Sequence, residues 1–460
     1  MLTAPHHKKS THMKKVLILG AGMVVKPMVD YLLDNNFYVT IASRTKSKGD
    51  EMIKGNPNGR AVGWTVDQEE ELDKMVGEHD ITVSLLPYAY HAMVAKKCIK
   101  HKKNMVTTSY VQPEMAALDN EAREAGIVIL NEIGVDPGID HMSAQKIIDL
   151  VHNKGGEIEE FYSVTGALAA PEAADNPLKY KFSWSPKGVV KAGNNSARYL
   201  RDGKKVNISS KDLFKNTFLT RFPEIGKLEV YPNRDSISYI DIYNIPEVKT
   251  IFRGTFRYQG WCETIDAMKE LNLISEEKID LKGKTYADLI AYQIGASDST
   301  GIKKKTAEFL GVKEDAHALK ALEWLGLFED KPINREKDSP FEVTSDLMMD
   351  KMLLGENERD MVAMQHTFLV NFENAGKEVI RSRMLVFGSP ETDTSVARTV
   401  ALPAAIAVRM ILENKINLKG VYRPVIPEIY RPVLDELEKV GIKLEEEFGL
   451  SERENIKLKK

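Results

Sequence analysis

The stretch VLILGAGMVVKP, from Val16 to Pro27, decides the fold class. It reads as a hydrophobic strand that runs into a glycine-rich turn and then opens a helix. In βαβ units that bind dinucleotides, the first glycine makes the tight turn, the second admits the pyrophosphate, and the third lets the helix pack on the strand. Gly20 and Gly22 keep the first two positions, and Val25 occupies the third. The pattern departs from the full motif only where helix and strand pack, and its context decides between a ligand site and a structural turn.

The sequence around the turn favours a ligand site. From residue 14 to residue 136, short apolar runs alternate with amphipathic segments, which is typical of βαβ units. Strands are predicted at 15–19, 38–43, 60–66, 81–86, 104–109 and 127–132, and helices at 27–36, 69–77, 90–102 and 113–126. Right-handed crossovers then give an α/β fold with a doubly wound parallel sheet of the Rossmann type, whose ligand lies at the carboxyl ends of the strands. Residues 1–13 lack a periodic pattern and are interpreted as a disordered leader or a remnant of an expression vector.

The end of the second predicted strand indicates which dinucleotide binds. In NAD-binding units an acidic residue about 20 positions beyond the glycines accepts the ribose 2′-hydroxyl, and its charge repels a 2′-phosphate. Here the strand ends in Ser43, Arg44 and Thr45, with no acidic residue. A guanidinium group suits a phosphate, and the two hydroxyl groups add possible donors. The sequence therefore favours NADP over NAD, against the alternative that Arg44 is an ordinary surface residue.

Composition excludes several classes of protein. The chain has 460 residues, of which 43% are hydrophobic and 28% are charged, which is typical of globular proteins with two or three domains. No stretch approaches the roughly 18 continuous apolar residues of a membrane span, so no membrane association is expected. Cys98 and Cys262 are the only cysteines, so we expect no disulfide framework, no metal site and a cytoplasmic location. The net charge is −3 and the basic clusters are short, which argues against a nucleic acid partner.

The pattern changes after residue 136. Segments at 161–166, 236–243, 250–258, 366–374 and 378–388 are rich in β-branched and aromatic residues, as antiparallel strands are, and a helix is predicted at 316–328. Residues 137–394 are therefore expected to form a larger α+β domain, with an open sheet that can pair with the sheet of a second subunit. A long apolar helix follows at 395–415, with Pro403 expected to bend it. The charged tail at 433–460 is expected to end as a solvated helix or a frayed segment.

Several motifs together carry a family resemblance. They are TTSYVQP (107–113), NEIGVDPGIDH (131–141), DNPLKYKFSWSPKG (175–188), YPNRDS (231–236), IFRGTFRYQGW (251–261) and NERDMVAMQH (357–366). With these motifs the chain resembles the glutamate-forming saccharopine dehydrogenase family from about Lys15 to about Leu444. The resemblance implies a homodimeric enzyme that oxidises saccharopine reversibly with NADP, giving glutamate and aminoadipate semialdehyde. It also implies that residues 137–394 form the substrate-binding and dimerisation domain and that residues 395–432 return to the nucleotide-binding domain.

The resemblance makes several polar residues intelligible as substrate contacts. Saccharopine carries three carboxylates and one free ammonium group, so its site needs several cations and at least one anion. The resemblance places Arg234 and Arg253 on substrate carboxylates, where a bidentate contact would also fix orientation. Thr255 would add a hydroxyl group, and Gly254 a close approach of the backbone. From spacing alone, Arg234 would instead be interpreted as a surface salt-bridge residue.

The reacting nitrogen needs a second set of residues. Ser109 and Tyr110 end the fifth predicted strand and Asp136 follows the sixth, so all three are expected to bind substrate near the nicotinamide. Asp136 and Tyr110 are the catalytic candidates, the first for stabilising the positive nitrogen or for binding the substrate ammonium group, and the second for hydrogen bonding to the reacting centre. The competing interpretation of Asp136 is an Asp-Pro-Gly turn that caps its own backbone. His91 and His141 are alternative proton carriers, against the interpretation that they are packing or capping groups.

The expected cofactor contacts come from the glycine turn and the strand ends. They are Gly20, Gly22, Met23, Val24, Val25, Ser43, Arg44, Thr45, Thr65, Val66, Leu86, Pro87, Tyr88, Pro137 and Gly138. Two other functions stay open at this point. One is a carboxynorspermidine-type dehydrogenase, whose substrate has fewer carboxylates, and the other is a nucleotide-sensing protein without catalysis. The pair of arginines argues against both.

Overall fold

A computed structural model describes residues 13–458, so the interpretation of residues 1–13 lies, apart from Met13, outside the described residues. The strands are β1 (Lys15–Leu19), β2 (Tyr38–Ser43), β3 (Gly59–Gly63), β4 (Ile81–Ser84), β5 (Asn104–Val106), β6 (Val128–Leu130), β7 (Gly156–Ala169), β8 (Ala197–Arg201), β9 (Lys204–Ile208), β10 (Phe218–Phe222), β11 (Gly226–Pro232), β12 (Thr250–Arg257), β13 (Ile279–Asp280), β14 (Lys337–Asp338), β15 (Asp360–Phe372), β16 (Gly376–Phe387), β17 (Gly420–Tyr422) and β18 (Glu445–Leu450). The helices are α1 (Lys26–Asp34), α2 (Lys46–Ile53), α3 (Glu69–Glu78), α4 (His91–His101), α5 (Pro113–Ala116), α6 (Asp119–Ala125), α7 (Ile139–Asn153), α8 (Pro186–Ala192), α9 (Tyr239–Tyr243), α10 (Trp261–Glu270), α11 (Tyr286–Gln293), α12 (Ile302–Leu310), α13 (His317–Leu325), α14 (Pro340–Met352), α15 (Ser395–Leu412) and α16 (Pro427–Lys439).

The chain forms two compact units. The first contains the residues up to Met142 together with Ala397–Leu437, and the second contains Ser143–Val396 together with the residues from Glu438 onward. The chain therefore changes units inside α7, near the start of α15 and near the end of α16.

The first unit is a doubly wound parallel sheet, which confirms the predicted fold class. Its strand order is β17-β6-β5-β4-β1-β2-β3, and every neighbouring pair is parallel. β1 and β2 begin and end where the sequence predicts, whereas the strands predicted at 81–86, 104–109 and 127–132 end two or three residues earlier. The residues beyond those ends lie in loops at the carboxyl edge of the sheet. β17 was missed because its three residues lie far beyond the alternating segment 14–136 from which the other strands of this sheet were predicted.

The interior of the first unit explains why α1 forms without a polar cap. Val25 precedes α1 and contributes no side-chain hydrogen bond, but Pro27 lies in the first turn, where its missing amide costs nothing. Five residues of α1 are buried on the face that packs inward: Pro27, Met28, Val29, Leu32 and Leu33. Burial of this apolar face stabilises the helix more than propensity does.

The second unit contains a mixed sheet of nine strands. Seven of the strands follow the order β10-β11-β12-β7-β15-β16-β18. In addition, β8 pairs with β12, and β9 pairs with β8. Most pairs are antiparallel as predicted, but β12 and β7 pair in parallel because the segment between them crosses over instead of turning back. The core of this unit lies on one face of the sheet, where Tyr162, Val164, Phe252 and Phe256 contribute large buried side chains.

Two predictions for the second unit were wrong. Residues 236–243, predicted as a strand, contain helix α9, because Asp235 accepts a hydrogen bond from the Ile237 amide at 2.9 Å and turns the chain before the helix. The charged tail, predicted as a solvated helix or frayed end, forms strand β18 beside β16. Arg383 pairs with Glu447 at 2.8 Å, so acidic residues of the tail are matched by basic residues of the strand next to it.

Helix α15 is long and apolar enough to cross a membrane by length and composition. Of its residues, 78% are buried within the fold, which is typical of a core helix. The helix continues through Pro403.

Candidate active site

The glycine turn after β1 has the geometry of a phosphate-binding turn. Gly20 has a φ of 115°, which favours glycine, and its amide donates to the Ala42 carbonyl at 2.9 Å. A Cβ on Gly20 would lie 3.2 Å from the Leu85 carbonyl oxygen, whereas a Cβ on Gly22 would have no atom within 4 Å. Packing among the described residues would therefore allow a side chain at position 22. It leaves the turn open to a group that approaches the backbone.

The residues after the turn divide into exposed and buried positions. Met23 is 57% exposed and Val24 is half-buried, so both can contact a ligand. Val25 is 1% exposed, and its amide donates to the Gly22 carbonyl at 3.3 Å. Its side chain packs in the interior, so its expected cofactor contact, which stays a prediction, would be made by the backbone.

Arg44 is the free cation at the end of β2. It is exposed, and its guanidinium group has no hydrogen bond or ion pair with any residue between 13 and 458. The neighbouring hydroxyl of Ser43 donates to the Thr45 carbonyl at 3.0 Å. The Thr65 hydroxyl after β3, next to half-buried Val66, donates to Gln68 at 3.2 Å. Arg44 can thus receive a phosphate without breaking an existing contact, which fits the requirement of an NADP site.

A cavity of about 340 Å³ lies between the loops that follow β4 and β5. Its lining includes Tyr88, His91 and Tyr110. Tyr88 is 66% exposed and follows half-buried Leu86 and exposed Pro87, so this loop offers apolar surface next to the cavity. The predicted residues of these two loops are thereby brought together in the first unit.

The turn after β6 is tightly packed. The Asp136–Pro137 peptide bond is cis, and the Gly134 amide donates to the Pro137 carbonyl at 2.9 Å. A Cβ on Gly138 would lie 2.0 Å from the Gly134 carbonyl oxygen, so glycine is required there by packing. The Gly138 amide donates to Asp140 at 2.5 Å. Pro137 and Gly138 are both buried, and their expected cofactor contacts stay a prediction.

The two catalytic candidates contact each other. The Tyr110 hydroxyl donates to the Asp136 carboxylate at 3.3 Å, and both side chains are half-buried. This bond joins the loop after β5 to the turn after β6. Asp136 therefore has an orienting partner, which an isolated Asp-Pro-Gly turn does not provide.

Ser109 belongs to a separate network of hydrogen bonds. Its hydroxyl lies 2.8 Å from Nε2 of His91, and Nδ1 of the same ring lies 2.8 Å from the Ser84 hydroxyl. Burial lowers the pKa of His91 to about 4, so the ring is neutral at physiological pH. A neutral ring donates through one nitrogen and accepts through the other.

Glu132 is the buried acid of this region. It is 2% exposed, has a φ of 58°, and accepts hydrogen bonds from the Val111 amide and Arg423 at 2.8 Å and from His141 at 2.7 Å. Its own amide donates to the Ser109 carbonyl at 3.1 Å. Burial alone would raise the pKa of Glu132, but the hydrogen bond from His141 and the charges of His141 and Arg423 lower it. Glu132 thus holds the Ser109–Val111 segment in place as a carboxylate.

The second unit holds both predicted carboxylate-binding arginines, Arg253 on β12 and Arg234 in the loop that follows β11. Arg253 lies on β12, is 4% exposed, and places its guanidinium 4.2 Å from the centre of the Tyr239 ring. Thr255 lies two residues further along β12 and is half-buried, opposite Tyr231 of β11. The stacking on Tyr239 fixes the direction of the Arg253 side chain.

Glycine is required by packing at position 254. A Cβ there would lie 2.7 Å from both Phe252 and Val230, on the core face of the sheet. The expected approach of a substrate to the Gly254 backbone stays a prediction.

Arg234 follows β11 in a loop with a φ of 51° and is exposed. It lines an open cavity of about 580 Å³ in the second unit, together with Arg198 and Asp235. Arg198 binds Asp235 in a bidentate pair at 2.8 and 3.0 Å, so the charge of Asp235 is already matched by Arg198. Between residues 13 and 458, no group of three or more His, Cys, Asp or Glu side chains is arranged to hold a metal ion.

Comparison with known proteins decides the family. Residues 16–130 match the family domain described as the saccharopine dehydrogenase NADP binding domain, and residues 134–442 match the saccharopine dehydrogenase C-terminal domain. The chain belongs to the saccharopine dehydrogenase family.

Relatives of known name cover nearly the whole chain. It is 41% identical over 449 residues to saccharopine dehydrogenase [NADP(+), L-glutamate-forming] of Schizosaccharomyces pombe, a match that spans 95% of this chain and 99% of that relative. The fold matches the structure of apo saccharopine dehydrogenase (L-Glu forming) from Saccharomyces cerevisiae with a TM-score of 0.87 and 36% identity, over 95% of this chain and 99% of that one. The chain is also 38% identical to the mitochondrial alpha-aminoadipic semialdehyde synthase of Bos taurus. That match covers 90% of this chain but 46% of the longer relative. The resemblance stated from the motifs is therefore confirmed.

Sequence reasoning missed two residues of this saccharopine dehydrogenase family site. Glu132 was passed over although it lies inside the motif NEIGVDPGIDH, where an acidic residue directly after a buried strand was the available signal. Arg423 gave no signal, because it follows the unpredicted strand β17 and meets Glu132 only in the folded chain.

Proposed function

We propose that this protein oxidises the CH–NH bond of saccharopine reversibly with NADP, giving L-glutamate and L-2-aminoadipate 6-semialdehyde in lysine metabolism. The observation that carries the proposal is the match to the Schizosaccharomyces pombe enzyme over 95% of this chain and 99% of that relative. A match of this extent leaves no major element of that enzyme without a counterpart here. The geometry described above supports the proposal in both units.

Residues of the first unit bind the cofactor in this proposal. Gly20 and Gly22 shape the turn that receives the pyrophosphate, and Arg44 receives the 2′-phosphate. Support comes from the open space at Gly22 and from the unpaired guanidinium of Arg44 within the described chain. When bound, NADP supplies the redox chemistry by accepting a hydride from the substrate carbon next to the bridging nitrogen.

The substrate carboxylates are assigned to Arg234 and Arg253. Burial of Arg253 and its contact with Tyr239 give it one direction, so it can orient as well as attract a carboxylate. Arg234 is exposed, so solvent screens its charge and its contribution is smaller. Thr255 adds a hydroxyl group from the strand that carries Arg253.

Asp136 and Tyr110 are assigned to the reacting nitrogen, and Ser109 to a polar group of the substrate. Loss of hydride leaves a positively charged imine, which the Asp136 carboxylate stabilises. Tyr110 holds that carboxylate through its hydroxyl group. Water then adds to the imine carbon, the carbon–nitrogen bond breaks, the nitrogen leaves with glutamate, and one proton is released overall.

The assembly and location are proposed on the same basis. A homodimer formed through the second unit's sheet and a cytoplasmic location fit the family, with neither membrane nor nucleic acid as a partner. Sedimentation velocity at several protein concentrations tests the assembly, since a dimer should have about twice the chain mass of 51.7 kDa.

The absorbance of NADPH at 340 nm tests the proposed reaction. Saccharopine with NADP should give a rise that depends on the protein, and the rate with NAD should be lower. Carboxynorspermidine serves as the comparison substrate because it has fewer carboxylates for the two arginines. A faster reaction with carboxynorspermidine, or none with saccharopine, would contradict the proposal.

A further inference from the structure

We propose that His91 is a positioning residue, which fixes the direction of the Ser109 hydroxyl and is itself held by Ser84. The inference rests on the proposed function, in which Ser109 contacts saccharopine, and goes beyond it by explaining what aims that contact. His91 is the first residue of α4, Ser84 ends β4, and Ser109 follows β5. Residues of β4, of α4 and of the loop after β5 therefore meet at one imidazole ring.

The geometry leaves the ring little freedom. His91 is 3% exposed and Ser84 is fully buried. Nδ1 lies 2.8 Å from the Ser84 hydroxyl, while Nε2 lies 2.8 Å from the Ser109 hydroxyl and 3.4 Å from the Thr107 hydroxyl. Both ring nitrogens therefore have partners of normal hydrogen-bond length, and the ring cannot rotate without breaking two bonds.

A single ring proton then sets the direction of the Ser109 hydroxyl. With the proton on Nε2, the ring donates to the Ser109 oxygen, and the serine proton points away from the ring. With the proton on Nδ1, the ring donates to Ser84, and Nε2 instead accepts the Ser109 proton. A substrate carboxylate accepts hydrogen bonds only, so it selects the first arrangement, in which Ser109 donates to the substrate.

The same contacts argue against His91 as a proton carrier. The desolvation that lowers its pKa to about 4 keeps the ring neutral through the range of an ordinary assay. Ser84, its partner on Nδ1, is fully buried and offers no route for a proton to solvent. The ring therefore stays in place and orients the Ser109 hydroxyl without carrying a proton to or from the substrate.

Two substitutions of His91 test the hydrogen bonds of Nδ1 and Nε2 separately. The amide of Asn overlays Nδ1 and keeps a bond to Ser84, whereas the longer Gln reaches the position of Nε2 and keeps a bond to Ser109. His91→Asn should raise the KM for saccharopine roughly three- to tenfold, the loss expected for one neutral hydrogen bond, and His91→Gln should raise it less. NADPH affinity, measured by fluorescence titration, should stay unchanged in both variants.

His79 provides the matched control. It is a buried histidine of the same unit with two similar bonds, from Nδ1 to the Met75 carbonyl at 2.6 Å and from Nε2 to the Thr40 hydroxyl at 2.8 Å. Burial lowers the pKa of His79 as well, but its ring contacts no residue assigned to the site. His79→Asn should therefore lower stability as His91→Asn does, while leaving the KM for saccharopine unchanged.

A double-mutant cycle with Ser109→Ala gives the decisive readout. If His91 acts only through Ser109, His91→Asn should raise KM by less than about twofold once the serine hydroxyl is gone. Additive effects on KM, a His79→Asn effect equal to that of His91→Asn, or a changed pH profile in His91→Asn would each overturn the inference. If His91→Asn does not fold, Ser84→Ala replaces it in the same cycle. Wild-type protein without activity on saccharopine would instead overturn the proposed function.

Discussion

Replacing Glu132 is predicted to destabilise the first unit. Its carboxylate joins three segments, through the Val111 amide, His141 and Arg423, and the last of these is 291 residues away in the sequence. Replacing it with Ala leaves these donors without their common acceptor. The segment that carries Ser109 then loses the contact that holds Val111.

The magnitude follows from burial and from the type of each bond. Glu132 is 2% exposed, and removing one partner of a buried ionic network costs about 3–5 kcal/mol. Glu132→Gln should cost less, because Oε1, which accepts from both Val111 and Arg423, is kept. The acceptor of these two bonds loses its charge, and an amide nitrogen replaces Oε2, the oxygen that faces His141, so the stability of the unit should fall by about 2–3 kcal/mol.

The dependence of stability on pH gives a second, independent test of the role of Glu132. The lowered pKa of Glu132 in the folded state means that its stabilising contribution is complete above its ordinary value of 4.5 and is lost as pH falls through the folded value. Wild-type protein should therefore lose this part of its stability below about pH 4.5, and Glu132→Gln should lack it.

Native-state hydrogen exchange, read by mass spectrometry over residues 104–130, measures the opening free energy of this region separately from the second unit. Asp50→Asn is the control, since it removes an exposed ion pair between Lys46 and Asp50 in the same unit and should cost less than about 1 kcal/mol. If Glu132→Ala changed exchange no more than this control, the assignment of Glu132 as the organising residue would be wrong.

Three further predictions concern the assigned contacts. Arg44→Ala should weaken NADPH binding by about 1.5–3 kcal/mol and leave NADH binding unchanged, measured by fluorescence titration; equal losses would remove Arg44 from the phosphate site. Arg234→Ala and Arg253→Ala should each raise the KM for saccharopine roughly 10- to 100-fold, with the larger effect at buried Arg253, and an unchanged KM would exclude that arginine. Tyr110→Phe removes the hydroxyl that donates to Asp136 and should lower kcat about tenfold, so an unaltered kcat would show that the bond does not serve catalysis.

The parts of the fold that local chemistry determines were predictable from the sequence. The turn at Gly20 and Gly22 needs particular backbone conformations, and these restrict the residue types at fixed spacing. Arg44 was chosen as the candidate for phosphate binding because a cation replaces an acid at a defined strand end, and that role stays a prediction. The alternation of short strands and helices likewise fixed the sheet type of the first unit.

Contacts between distant segments were not predictable in the same way. Glu132 and Arg423 are separated by 291 residues, and no local pattern links them. The packing that requires glycine at position 254 comes from Val230 on the neighbouring strand, which no local pattern shows. The residues of α9 have the composition of a strand, and only the turn made by Asp235 decides otherwise.

The fate of the bridging nitrogen tests the central claim most directly. Saccharopine labelled with ¹⁵N at that nitrogen is incubated with the protein and NADP, and the amino acids formed are identified by mass spectrometry. Oxidation on the lysine side of the nitrogen transfers the label to glutamate and leaves the six-carbon product as an unlabelled aldehyde. The account predicts labelled glutamate with NADPH formed in equal amount, and labelled lysine would contradict it.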